Sequence, residues 1–231
     1  MGFIMVSLTE LTKTVYASNG NNPEPIEILF NLGAEHVSLQ TDLWTVSAWK
    51  ENEVQLKGTQ IIDQIEKIQS ELLNDIINGK NTTPRPIYYE NSYNILTLIG
   101  LTESAKRDTA EVATSLTHNS IGTSATTATE SDVGLIAEDT GGSYARRSYA
   151  SNGQRKVISQ TAKYGMLWQD TQVSAVPLSI RESGVHWAST GSSTLHARVT
   201  FTTFSMTSGD LFVTQINELH QNGWEKGYQN I

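Results

Sequence analysis

Residues 194–217, TLHARVTFTTFSMTSGDLFVTQIN, indicate the fold of this chain most clearly. The first part alternates between apolar and polar residues, and a period of two is typical of a β-strand with two different faces. TSGD at 207–210 is typical of a turn, and LFVTQIN after it predicts a second strand. Four apolar residues face one side and four polar residues the other: Leu195, Ala197, Val199 and Phe201, against His196, Arg198, Thr200 and Thr202.

Further strand signals precede this stretch. Asn152-Gly153 lies between two β-capable runs, and this dipeptide is the strongest short signal for a hairpin turn. Several short strands at such spacing favour an antiparallel sandwich or barrel. The predicted fold class is mainly β: an antiparallel, jelly-roll-like β-sandwich, with one long amphipathic helix in an α-containing N-terminal part.

A Thr-rich run interrupts the predicted strands. Ten of the eighteen residues from Thr114 to Ser131 are Ser or Thr, yet apolar residues frame the run. A flexible linker is not expected between strands of one sheet system. We therefore predict that residues 123–131 form an ordered surface loop whose hydroxyls cap their own backbone.

Residues 59–78 carry the periodicity of an amphipathic helix, with Thr59 as a candidate N-cap and Gly79 just past the end. Two interpretations remain open. The stripe packs on the core of its own domain, or it forms a seam between copies, because isoleucines approach heptad spacing. The candidate assembly interface consists of Ile61, Ile65, Ile68, Leu72 and Ile76.

Composition changes near Pro84. The 231-residue chain has a net charge of −8, of which residues 1–84 carry −6, and all seven arginines follow residue 84. We therefore predict an N-terminal attachment or assembly region (1–84), a sandwich domain that folds alone (85–217) and a C-terminal tail (218–231). The acidic balance argues against a nucleic-acid partner.

Motifs for chemistry are missing from the sequence. There is no cysteine, no phosphate-binding loop, no nucleophile elbow and no histidine pair at metal-ligand spacing. Asp139-Thr140-Gly141 matches one aspartic-protease triplet, but such enzymes need two carboxylates. No window reaches the length of a membrane span. We expect no enzymatic activity, no cofactor, no metal and no membrane contact.

The order of motifs after residue 93 resembles a β-sandwich module of tailed-virus virion proteins, found in tail fibres, baseplates and head decorations. An Ile121-Gly122-Thr123 turn leads into the Thr-rich loop, and Asp132 and Leu135 follow. Then come an I-R-E-x-G strand, an L-x-A-R-V-x-F strand and a Gly-Asp turn. The resemblance covers about residues 93–217, and its structural motif residues are Gly122, Asp132, Arg181, Glu182 and Gly184.

The resemblance implies a structural protein of a bacteriophage-type particle, in its tail, baseplate, neck or capsid decoration. Such a protein is assembled in the host cytoplasm and contacts other virion proteins and copies of itself, with a trimer or hexamer expected. The alternative is a receptor- or glycan-binding module of a tail fibre. Its candidate stacking aromatics are Tyr144, Tyr149, Trp168 and Trp187.

Four basic residues flank the Asn-Gly pair: Arg146, Arg147, Arg155 and Lys156. They are interpreted either as a contact patch for an acidic neighbour, such as the N-terminal part of another copy, or as solvated charges that protect a hairpin against edge pairing. Arg181 and Glu182 are neighbours on a predicted strand, so they face opposite sides and each needs its own partner.

Overall fold

The computed structural model describes residues 12–19, 22–29, 43–108, 115–141, 144–158, 161–169 and 178–219. This part of the chain contains twelve strands and three α-helices. The strands are β1 Thr12–Asn19, β2 Asn22–Leu29, β3 Leu43–Lys50, β4 Tyr88–Tyr93, β5 Ile95–Leu96, β6 His118–Gly122, β7 Arg147–Ser148, β8 Gly153–Ile158, β9 Thr161–Gln169, β10 Leu178–His186, β11 Leu195–Met206 and β12 Asp210–Leu219. The helices are α1 Ile61–Ile77, α2 Leu98–Asp108 and α3 Tyr149–Asn152.

Two five-stranded antiparallel sheets pack face to face, which confirms the predicted β-sandwich. The first sheet has the strand order β4-β3-β12-β9-β8, and the second has β5-β11-β10-β6-β7. β1 and β2 pair with each other in a separate hairpin. The predicted turn at 207–210 joins β11 to β12, which places these consecutive strands in different sheets.

The main core lies between the two sheets. β3 and β9 contribute two fully buried tryptophans, Trp44 and Trp168, and the alternating apolar face of β11 packs opposite them. Rings of β11 and β12 stack directly, with the centroids of Phe204 and Phe212 5.6 Å apart. The period-two pattern of residues 194–202 therefore fills the space between the sheets.

The amphipathic segment forms α1 on the outer face of the first sheet. A short 3-10 turn at Gly58–Gln60 precedes it, and Gly79, with φ of 64°, follows its end as expected for a C′ residue. Gly165 of β9 allows the helix to approach the sheet closely, since a Cβ there would lie 2.7 Å from Ile61. The helix buries its first two turns in a second apolar cluster with Trp49, Leu167 and Val213.

The predicted hairpin at Asn152-Gly153 is wrong. Asn152 ends α3 and Gly153 begins β8, while the connection between β8 and its partner β9 falls at residues 159–160. Ser148 caps α3 by accepting a hydrogen bond from the Ala150 N–H. The capped helix α3 therefore sets the conformation of this segment, although the Asn-Gly dipeptide by itself favours a hairpin turn.

The domain boundary predicted at residue 84 is also wrong as a boundary of the sandwich. β3 precedes it, yet β3 lies between β4 and β12 in the first sheet, with Val46 opposite both Glu90 and Thr214. The strand is buried along most of its length. The predicted tail begins inside β12, which continues to Leu219, and residues 220–231 lie outside the described part.

A fragment that begins at Arg85 is therefore expected not to fold cooperatively, because β12 loses the β3 ladder and the core loses Trp44, Val46 and Ala48. A matched fragment that begins at residue 40 keeps β3 and α1 and should give a cooperative thermal melt by circular dichroism. A cooperative β-type melt of the shorter fragment would contradict this assignment.

Candidate functional site

The motif residues converge on one buried charge, the Arg198 guanidinium of β11. Arg198 and Glu182 of β10 are both fully buried, and Arg198 Nε donates to Glu182 Oε2 at 2.8 Å. Arg198 Nη1 donates to Asp132 Oδ2 at 2.7 Å. A buried guanidinium needs such carboxylate partners, because burying an unpaired ion lowers the stability of a protein by several kcal/mol. We call Arg198, Glu182 and Asp132 the Arg198 cluster.

The Arg198 cluster holds the Thr-rich loop on the second sheet. Arg198 Nη2 donates to the Thr126 carbonyl at 2.7 Å, and Glu182 accepts backbone N–H bonds from Ala137 at 2.8 Å and Ile136 at 3.2 Å. Within the loop, Ser124 Oγ accepts from the Thr126 N–H, which is the predicted capping by hydroxyls. The prediction of an ordered loop is thus supported by specific contacts on both of its sides.

Asp132 closes the Thr-rich loop through its carboxylate. Its carboxylate accepts from the backbone N–H and the hydroxyl of Thr129, as well as from Arg198. Burial raises the pKa of Asp132, but these hydrogen bonds and the Arg198 charge together lower it below its usual value. The carboxylate therefore stays ionised and closes the loop around the guanidinium.

Gly122 and Gly184 serve close packing rather than unusual backbone angles, since neither has a positive φ. A Cβ on Gly122 would lie 2.5 Å from Glu182 Oε1, and one on Gly184 would lie 2.7 Å from Leu195. Both glycines therefore make room for the loop and the Arg198 cluster. Arg181, next to Glu182, is half-buried, and its buried Nε has no hydrogen-bond partner among the described residues.

The predicted basic contact patch does not exist as one surface. The side chain of Arg146 is 7% exposed, pairs with Glu138 at 2.7 Å and donates to the Ala188 carbonyl. Arg147 donates to the Leu167 carbonyl and lies over the Trp168 ring, 5.2 Å from its centroid.

The other two basic residues also have partners within the chain. Arg155 donates to the Leu116 carbonyl at 3.0 Å. Lys156 forms a 2.6 Å ion pair with Asp63 of α1. Its neighbour across the β8–β9 ladder, Lys163, pairs with Glu66 of the same helix at 2.5 Å. For Lys156, the acidic neighbour is therefore the chain's own helix.

The helix stripe proposed as an assembly interface mostly faces its own sheet. Ile61 and Ile65 are fully buried in the second apolar cluster, which they share with Trp49, Leu167 and Val213. Ile68 and Leu72 are partly buried and pack against this cluster. Ile76, near the helix end, is half-buried. Ile61 and Ile65 are thus unavailable to a partner, and the geometry agrees with the interpretation that the helix covers its own core.

Two histidines lie directly opposite each other on neighbouring strands, His118 on β6 and His186 on β10. His186 is fully buried, and its Nε2 is 2.6 Å from Ser120 Oγ. Burial, followed by the charge of Arg146, holds the pKa of His186 well below its ordinary value. Burial and Arg146 also lower the pKa of His118. Sequence patterns gave no signal for this pair, because 67 residues separate its members.

Three of the four aromatics proposed to stack on sugars are buried: Tyr144, Tyr149 and Trp168. Trp187 is half-buried and packs against the main core. Stacking on a sugar is therefore open at most to Trp187 among the four.

A run of exposed apolar and aromatic side chains lies instead on β4 and its flanks. Burial alternates strictly from residue 87 to residue 95, with the odd-numbered side chains exposed and the even-numbered ones turned inward. Tyr89 is 49% exposed and Tyr93 is 65% exposed. We call this set the exposed stripe: Ile87, Tyr89, Asn91, Tyr93 and Ile95. Sequence reasoning missed it, although the period of two is visible in IYYENSYNI.

Comparison with known proteins found no matching family model, no similar curated protein and no similar solved structure. Among the described residues, no helix is long and apolar enough to cross a membrane. The same residues contain no group of three or more acidic or histidine side chains arranged to hold a metal ion.

Replacing Arg198 by Met should lower the free energy of unfolding by about 3–5 kcal/mol, because Glu182 and Asp132 would lose their buried cation. Urea denaturation measures this change. The matched control is K67M, which removes an exposed pair with Glu71 and should change stability by less than about 0.5 kcal/mol. Equal stability of the two variants would contradict the role of the Arg198 cluster.

The stability of the protein should fall between pH 7 and pH 5 in a way that depends on His186. Its folded-state pKa lies below the unfolded value, so its contribution is complete above about pH 6.5 and is lost as the pH falls. The H186N variant should show a smaller loss over this range, measured by urea denaturation at each pH. Parallel curves for the two proteins would show that His186 does not titrate as expected.

Proposed function

We propose that this protein is a structural component of a viral particle and acts through protein–protein contacts rather than catalysis. The observation that carries the contact role is the exposed stripe on β4. β4 presents Tyr89, Asn91 and Tyr93 to solvent, and the exposed isoleucines at 87 and 95 flank the strand on its two sides. Tyrosine is enriched at protein interfaces, because its ring adds apolar area while its hydroxyl still bonds to water or a partner.

The position of the stripe supports this role. β4 is the edge strand of the first sheet, and its outward-facing side chains are exposed. Contiguous apolar surface at a sheet edge is costly for an isolated soluble protein, and natural edges normally carry charges that prevent pairing. An uncharged, aromatic edge is instead typical of a surface that a partner covers.

The rigid support behind the stripe also fits a scaffold. Inward-facing Tyr88 donates its hydroxyl to the Thr202 carbonyl at 2.8 Å, and Glu90 accepts from the Thr202 N–H at 3.1 Å. These contacts join β4 to β11 of the second sheet. The partner-facing side chains therefore project from a strand fixed on its inner side, which lowers the conformational entropy lost on binding.

The assignment to a viral particle rests on the ordered sequence resemblance over residues 93–217. Within that proposal, the partners are other virion proteins and copies of this chain, and assembly takes place in the host cytoplasm. The alternative of a receptor- or glycan-binding module is less favoured, because the proposed stacking residues Tyr144, Tyr149 and Trp168 are buried.

Mass spectrometry of purified particles produced by the genome that encodes this chain tests the proposal. We expect the protein in every preparation at a fixed ratio to the major capsid protein, and antibody labelling should locate it at one position on the particle. Its absence from particles, with abundance only in the soluble extract of the host, would contradict the proposed function.

A further inference from the structure

We propose that β4 pairs antiparallel with β4 of a second copy around a two-fold axis at Asn91, which joins the first sheets of the two copies. This inference rests on the proposed assembly function and specifies its partner and register. In that register Tyr89 lies opposite Tyr93 of the second copy, and Glu90 lies opposite its Ser92.

The first step of the argument is that this edge is open. Among the described strands, β3 alone pairs with β4, on one side of the strand. The strand YYENSY contains no lysine, arginine or proline. Its single charge, Glu90, turns inward and is bound by Tyr88, Ser92 and Thr202. The usual protections of an edge strand are therefore lacking here.

The second step is the symmetry of the exposed stripe. Within β4, its side chains read tyrosine, asparagine and tyrosine in either direction, with one isoleucine beyond each end of the strand. A two-fold interface brings each residue against its symmetry partner, so a surface must be complementary to itself. Antiparallel pairing about Asn91 places aromatic against aromatic at both tyrosine positions, and such cross-strand pairs stabilise a sheet.

The third step is charge. Each chain carries a net charge of −8, so two copies repel each other over most of their surfaces. The exposed stripe contains no ionisable carboxylate or amine, and the proposed register brings no like charges into opposition. The two copies can therefore approach each other at this edge without bringing acidic groups together.

The opposite edge of the sheet provides a contrast. β8 carries Arg155 and Lys156, and Lys156 is bound to α1 through Asp63. Positive charges at this edge oppose pairing with another β8. Its exposed Val157, which is 75% exposed, therefore serves as a control position for the experiments below.

A charge-complementation experiment tests both the edge and the register in the full-length protein. In Y89K/Y93K, each introduced lysine faces a lysine of the other copy. In Y89E/Y93K, each introduced glutamate faces a lysine. Positions 89 and 93 of one chain lie about 13 Å apart along the strand, so the charges interact mainly between copies.

Analytical ultracentrifugation should show a dimer for the wild-type chain and a rise of the dimer Kd by about a hundredfold or more in Y89K/Y93K. Y89E/Y93K should remain within about tenfold of the wild type, because opposite charges on facing strands attract. V157K should not change the Kd. Equal weakening of the two double variants would overturn the register.

A second measurement uses the absence of native cysteine. Residues directly opposite each other on antiparallel strands have Cα atoms about 4.5–5.5 Å apart, within the range of a disulfide. N91C should therefore form a covalent dimer under mild oxidation, whereas V157C should not. Failure of N91C to cross-link, together with a monomeric wild type, would overturn the pairing. Detection of the chain in purified particles would still support the assembly function, so the two proposals fail separately.

Discussion

The burial of the Arg198 guanidinium is the constraint on which the second sheet depends. Apolar residues on the other face of β11 place this strand over the core, and the alternation then directs Arg198 to the opposite face. That face is stable only if another segment covers it and supplies negative charge. Glu182 comes from the neighbouring strand, whereas Asp132 and the Thr126 carbonyl come from the loop. A loop rich in threonine is thereby fixed on the sheet.

For function, the outer faces of the two sheets differ from their edge strands, because the loop and α1 cover parts of the faces. The loop covers one outer face through the Arg198 cluster, and α1 covers the other through its buried isoleucines and the pairs of Lys156 and Lys163. Away from these covered regions, the sandwich offers partners its edges and the outward-facing side chains of β4. β4 is the edge on which aromatic side chains remain exposed, at Tyr89 and Tyr93. Assembly through that edge is therefore compatible with the fold.

Sequence reasoning succeeded where the spacing of apolar residues within one segment determines its secondary structure. The alternation in residues 194–202 and the stripe of α1 each predict an element and its buried face. Contacts between distant segments were not predictable in this way. β3 was separated from the sandwich because the proline-rich turn and the charge shift follow it, yet strand pairing depends on register with β12. Burial of Arg146 and Arg147 depends on Glu138, Trp168 and carbonyls that no spacing rule connects to them.

Hydrogen exchange of the wild-type protein tests the central claim most directly, because the Arg198 cluster acts through specific backbone amides. The Ala137 and Ile136 amides donate to the buried Glu182 carboxylate. They should exchange as slowly as the amides of β10 and β11, since both require the sandwich to open. Exchange of these loop amides at the rate of an unstructured peptide, while the strands stay protected, would contradict the account.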